Sequence, residues 1–291
     1  MPRSGVMADK NILIAAETLQ SKLDEPDWIA VDCRFDLADV EAGRAAFDAG
    51  HLPGAVYLDL DKDLSGPVSA DAGRHPLPDP KRLQERLGAA GISNRHRVVV
   101  YDDANGGVAA RAWWLFHWLG HDAVWLLDGG MARWRALGLP TEAGARSRTP
   151  AHFIGQARDE LVLTTQELAR DIHRVKDFNL LDARDAARFR GEHEPIDPVA
   201  GHIPGAISVP FADFVAADGT WLGLEERRSK LLAALSDRVD ADWCVMCGSG
   251  VTACHLAISG LEAGLREPRI YVGSWSEWIR DERRPVGREK A

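Results

Sequence analysis

The sequence predicts an α/β protein made of one unit written twice, each unit a mainly parallel sheet flanked by helices on both faces. Three observations carry this expectation. Apolar runs of strand length alternate with stretches of helical period along the chain, the pattern that lays helices over a parallel sheet. Landmarks of the first half recur in order in the second, Asp32 to Asp182 at a separation of 150, His51 to His202 at 151, Gly107 to Gly250 at 143 and Trp134 to Trp278 at 144. A length of 291 residues suits two domains of ordinary size. We place them at 1–145 and 146–291, joined near Thr141 to His152, where Gly, Ala, Arg, Ser and Pro replace periodic pattern.

The elements follow in order. A helix is expected around Glu17 to Leu23 and a strand from Trp28 to Asp32, ending in Cys33 and Arg34. Gly50-His51-Leu52-Pro53-Gly54 is a turn, and Val56 to Leu58 an extended run. From Asp59 to Pro80 the chain is too rich in breakers for regular structure and reads as a long loop with room for function. Arg97 to Tyr101 reads as a buried strand, Val108 to Leu119 as a helix stopped by Gly120, Val124 to Leu127 as a strand, and Gly129-Gly130 opens a short helix carrying Trp134.

The second half repeats the series. Thr164-Thr165-Gln166-Glu167 carries a capping-box pattern, Asn179 to Asp182 is a strand, and Gly201-His202-Ile203-Pro204-Gly205 echoes the earlier turn. Trp243 to Met246 is a short buried strand, and Val251 to Ala263 a helix closed by Gly264. His51 and His202 read as turn residues, because each half has one.

Composition narrows the function. Hydrophobic residues at 45% and charged residues at 27% describe a globular protein rather than a disordered one. A formal net charge of −9 argues against a nucleic-acid partner, and no apolar run reaches the roughly 20 residues a spanning helix needs. No signal-peptide pattern is legible, so a cytoplasmic protein is expected. Its four cysteines, Cys33, Cys244, Cys247 and Cys254, are too few for a disulfide framework and are expected to be reduced.

The chemistry points to Cys247-Gly248-Ser249-Gly250-Val251-Thr252-Ala253, a cysteine at a strand-to-helix turn. Two glycines let successive N–H groups curl around the sulfur, and the following helix adds the positive end of its dipole. Such a cradle favours a thiolate and a negatively charged persulfide. Cys247 is therefore read as a nucleophile. Cys33, Cys244 and Cys254 are read as small hydrophobes. Cys244-x-x-Cys247 sits partly inside the strand and lacks a second pair, which argues against a zinc site. Only the second half bears the nucleophile, since the first has Asp103-Ala104-Asn105-Gly106 in the corresponding place.

The repeated glycine-histidine-(hydrophobic)-proline-glycine turn, the cysteine loop and Gly273-Ser274-Trp275-Ser276-Glu277-Trp278 together resemble the two-domain rhodanese family of sulfurtransferases over nearly the whole chain. Within that family the loop with neutral Gly248 and Ser249 resembles that of members using 3-mercaptopyruvate. Members using thiosulfate typically carry two cations there, which suits a compact dianion. The resemblance implies a loop in which Gly248, Gly250, Val251 and Thr252 line the substrate site around Cys247. It implies a Ser249-His75-Asp61 relay, with Asp59 as the alternative to Asp61. It also implies Arg188 as the grip on the donor's carboxylate, a task suited to a planar, permanently charged fork. The alternative for Arg188 is a structural ion pair with Glu192 or Glu194. A second arginine that many such enzymes carry after a Glu-Pro pair is missing here, where Ile196-Asp197 follows Glu194-Pro195.

The implied activity moves sulfur from 3-mercaptopyruvate through a Cys247 persulfide to a thiol such as thioredoxin or glutathione, or to cyanide, with no metal or organic cofactor. Alternatives are thiosulfate as donor, or a non-enzymatic persulfide carrier. Cysteine phosphatases place an arginine six residues after their cysteine. Here that residue is Ala253, so phosphoryl transfer is not expected.

Overall fold

The computed structural model describes residues 11–144, 148–174, 179–236, 238, 240 and 242–288. The domain boundary drawn at 145/146 lies outside the described residues. The first half contains β1 (Leu13–Ile14), α1 (Ala16–Gln20), β2 (Trp28–Asp32), α2 (Ala42–Ala49), β3 (Val56–Tyr57), α3 (Pro80–Ala89), β4 (Arg97–Tyr101), α4 (Ala109–Trp118), β5 (Val124–Leu127) and α5 (Gly130–Ala136). The second contains β6 (Val162–Leu163), α6 (Thr165–Arg170), β7 (Leu180–Asp182), α7 (Ala186–Arg190), β8 (Ile207–Ser208), α8 (Leu224–Ala234), β9 (Cys244–Met246), α9 (Ala253–Glu262), β10 (Arg269–Tyr271) and α10 (Ser274–Trp278).

The strand orders are β1-β5-β4-β2-β3 and β6-β10-β9-β7-β8, one topology used twice. Every strand pairing within the two sheets is parallel, so the expected mainly parallel sheets are wholly so. The edge strands β1 and β6 and helices α2, α3 and α8 were not legible in the sequence. Two-residue edge strands carry no period, and α2 and α8 are dominated by polar or small residues. The 59–80 excursion holds no helix or strand until Pro80, which starts α3 behind an Asp79 cap.

Both sheets are covered on two faces, as the alternation of their residues requires. In the first half Ala30, Val99 and Tyr101 pack with Leu19, Phe47 and Trp134 on one side. Val31, Val98 and Val100 face the other way. There they join a core that runs without a break into the second half through Trp113 and Trp114 of α4 and Leu256 and Ile258 of α9. The two repeats thus share one apolar interface. In β9, Met246 packs on the outer face with Trp275 and Trp278, and the next residue, Cys247, falls on the shared face. That parity turns Cys247 toward the first half.

Both repeats are pinned alike near the chemistry. Arg34 grips Asp32 and the Gly50 carbonyl, and Arg184 grips Asp182 and the Gly201 carbonyl, all fully buried. His51 and His202 stack on Phe47 and Phe189 and bond those residues' carbonyls, so both histidines belong to the turns.

Candidate active site

Cys247 is 2% exposed at the end of β9. Its carbonyl accepts from Trp275 N (3.0 Å) and that of Gly248 from Ser276 N (2.9 Å), so the tryptophan-bearing turn clasps the loop from outside. Ser274 accepts from the Cys247 amide through Oγ (3.1 Å) and donates to the Tyr271 carbonyl (2.8 Å). It does so from a left-handed backbone, φ 52°, where the first repeat uses Gly130 at the same angle. A non-glycine held there stores strain, and here it positions the amide of Cys247.

The loop behaves as its glycines predict. Gly250 has φ +75°, and a side chain there would run into the Val272 carbonyl. The carbonyls of Gly250, Val251 and Thr252 are engaged behind the loop, accepting from Arg111 Nη1, Cys254 N and His255 N. Among the described residues, the backbone N–H groups of Gly248, Ser249, Gly250, Val251 and Thr252 make no hydrogen bond to protein. A run of amides without acceptors beside a sulfur, at the start of α9, is an anion site in waiting.

The polar partners come from the other half. His75 Nδ1 lies 2.7 Å from Ser249 Oγ, and His75 Nε2 lies 3.2 Å from Asp61 Oδ1, close but outside hydrogen-bond alignment. Asp59 instead accepts from the amides of Asp61 and Lys62, shaping the turn that presents Asp61. Burial, then the positive charges of Arg74 and Arg111, push His75 down to about 3, so its imidazole is neutral at physiological pH. Burial, then Asp59, raises the Asp61 carboxyl above its ordinary range. Burial pushes the other thiols up, Cys244 to about 11 and Cys254 to about 12, and raises Cys33 well above its ordinary value too. They remain protonated and inert.

Arg188 lies beside Gly248 and is also ion-paired. Its Nε donates to both oxygens of Glu194 (3.0 Å each), and its Nη2 reaches Glu194 (2.8 Å) and Asp197 (3.0 Å). Glu192 pairs with Arg190 instead. The two roles weighed for Arg188 are compatible, since Glu194 braces one edge of the guanidinium and Nη1 is left without a hydrogen bond among the described residues.

Two arginines were not legible as site residues. Arg111 reads in sequence as a break in the apolar α4; its side chain is wholly buried, donates to the Gly250 carbonyl (3.2 Å), and pairs with no carboxylate among the described residues. Burial lowers its pKa, opposed by Cys254 and then Cys247. Arg74, the residue before His75, reaches Gly248 from the first half. Its one signal is adjacency to His75, inside a loop without periodic pattern.

Comparison with known proteins agrees with this architecture. The rhodanese-like domain model matches twice, over residues 15–137 and 164–281. The chain belongs to the rhodanese family, as a tandem pair of its domains. It is 48% identical over 276 residues to a probable 3-mercaptopyruvate sulfurtransferase of Pseudomonas aeruginosa, covering 94% of this chain and 97% of that one. It is also 41% identical to a putative thiosulfate sulfurtransferase of Mycobacterium tuberculosis, covering 98% and 100%. The crystal structure of SseA from Escherichia coli, described with the fold and mechanism of 3-mercaptopyruvate sulfotransferases, superposes with a TM-score of 0.81 at 29% identity, over 91% of this chain and 99% of that one.

Proposed function

We propose that the protein is a sulfurtransferase that takes sulfur from 3-mercaptopyruvate onto Cys247, releases pyruvate, and passes the outer sulfur to a thiol. The observation that carries this reading is the Asp61-His75-Ser249 chain ending beside Cys247. The two candidate donors differ in whether a proton must move. Thiosulfate leaves as sulfite with no proton required, whereas mercaptopyruvate leaves as an enolate that must be protonated at carbon.

The Cys247 thiolate attacks the donor's sulfur, forming the S–S bond and breaking the C–S bond, whose electron pair goes to the pyruvate enolate. Ser249, hydrogen-bonded to the neutral imidazole of His75, takes the donor's thiol proton and returns it to the enolate carbon. Asp61, 3.2 Å from the far nitrogen of the ring, is the carboxylate that a small rotation would bring into line to orient it. The unpartnered loop amides receive the resulting persulfide anion, Arg111 adds a buried positive charge behind the loop through the Gly250 carbonyl, and Arg188 beside Gly248 holds the donor's carboxylate. A cytoplasmic thiol, thioredoxin or glutathione in class, then attacks the outer sulfur and restores Cys247.

Comparing kcat/KM for 3-mercaptopyruvate and thiosulfate with one acceptor tests the assignment. A higher value for mercaptopyruvate is expected; a preference for thiosulfate overturns the donor and leaves the persulfide chemistry standing. The carrier alternative is separated by Arg188→Ala. An enzyme loses mercaptopyruvate turnover, while a carrier still loads persulfide from other donors and loses nothing attributable to a carboxylate.

A further inference from the structure

Gly248 leaves a space that the surrounding charges define. A Cβ at this position would lie 3.1 Å from Arg74 Nη2, 3.6 Å from Arg188 Nη2 and 3.8 Å from Arg188 Nη1. Two guanidinium groups, one from each half, therefore flank the residue next to the nucleophile. We propose that Arg74 is the second arm of the clamp for the donor's carboxylate, supplied by the first half in place of the arginine missing after Glu194-Pro195. The proposal rests on the mercaptopyruvate reading and deepens it.

Three features support it. Asp197, 8% exposed, bridges the arginines, taking Arg74 Nη1 at 2.6 Å on Oδ1 and Arg188 Nη2 at 3.0 Å on Oδ2. The residue that looks like a departure in sequence thus sets the spacing of the two forks. Arg74 is also fixed from behind, where its backbone N–H donates to Ser276 Oγ (3.0 Å) in the turn that clasps Cys247. Its Nε is buried and makes no hydrogen bond among the described residues, a donor that burial makes costly unless a ligand meets it.

The charge balance fits a monoanion. Arg74 and Arg188 are matched by Glu194 and Asp197. A carboxylate would be gripped by spare N–H donors rather than by surplus charge, and a dianion would leave twice as much charge uncompensated.

The test alkylates Cys247 with 3-bromopyruvate and with bromoacetone, which differ only in the carboxylate. Each reagent forms the sulfur–carbon bond with loss of bromide, and the ratio of their rates reads the clamp independently of turnover. Losing one charge-assisted grip should lower that ratio about 10- to 100-fold in Arg74→Met, with bromoacetone changed little. Arg74→Gln, which keeps length and polarity, gives the same readout should methionine disturb the loop. In steady state the loss should fall mainly on KM for 3-mercaptopyruvate, and Arg74→Lys should restore part of it. An unchanged ratio in Arg74→Met and Arg74→Gln, with a fall in Arg188→Met, overturns the proposal. Failure of the donor assignment shows separately, as wild-type preference for thiosulfate.

Discussion

After Tyr101 at the end of β4 comes Asp102, and after Met246 at the end of β9 comes Cys247. The two residues hold equivalent places. Tyr101 and Met246 pair with Asp32 and Asp182, and the carbonyls of Asp102 and Cys247 accept from Met131 and Trp275. In the first half the loop amides of Ala104, Gly106, Val108 and Ala109 close on the Asp102 carboxylate at 2.7–2.9 Å. In the second half the same turn leaves its amides without protein acceptors beside a sulfur. One scaffold therefore makes two anion cradles. The first is filled by its own side chain, and the second, among the described residues, has no protein acceptor and is where we propose the persulfide sits. The first half then contributes loop residues, Asp61, Arg74 and His75, and the buried Arg111.

The two cradles differ most in what Cys247 does. Cys247→Ser should reduce turnover of either donor to background, since no other thiol here is activated; residual activity above that level would remove Cys247 from its role. Next is the relay. Ser249→Ala should lower kcat for 3-mercaptopyruvate by about 10²- to 10⁴-fold while changing persulfide loading from thiosulfate far less, because only the first donor needs a proton moved. Equal losses for both donors would mean that Ser249 shapes the loop instead.

Asp102→Ala tests the filled cradle. It strands four amides in a buried turn and should cost about 3–5 kcal/mol in denaturant unfolding. Persulfide loading at Cys247 should persist in the folded fraction. A loss under 1 kcal/mol would mean that Asp102 does little to hold its loop together. The smallest effect is on pH. Folded His75 titrates at about 3 and the unfolded residue near its ordinary 6.5, so between these values the unfolded chain binds a proton that the folded chain does not. Stability should fall on acidification through that window, and less steeply in His75→Gln.

The parts legible in sequence were those written locally. The cysteine loop announces itself by glycines around a thiol, and the repeat by its constant offsets; the strands Trp28–Asp32, Arg97–Tyr101 and Val124–Leu127 fall where their apolar runs place them. What sequence could not give are contacts across the interface between repeats. Ser249 and His75 are 174 residues apart, and Arg74 and Asp197 are 123 apart, so only folding shows that they meet. Ile196-Asp197 reads in sequence as the place of a missing arginine, and only the fold shows Asp197 bridging Arg74 and Arg188. Arg111 looked like an interruption of an apolar helix because spacing does not reveal a buried charge facing another element. The choice between Asp59 and Asp61 turned on one turn of backbone, in which Asp59 caps the amides that present Asp61 to His75.

Intact-protein and peptide mass spectrometry after adding 3-mercaptopyruvate without an acceptor reads whether the open cradle carries sulfur on Cys247. One added sulfur per chain is expected, confined to the peptide bearing Cys247, with one equivalent of pyruvate released. Pyruvate released with no sulfur retained, or sulfur found on Cys33, Cys244 or Cys254, would contradict it.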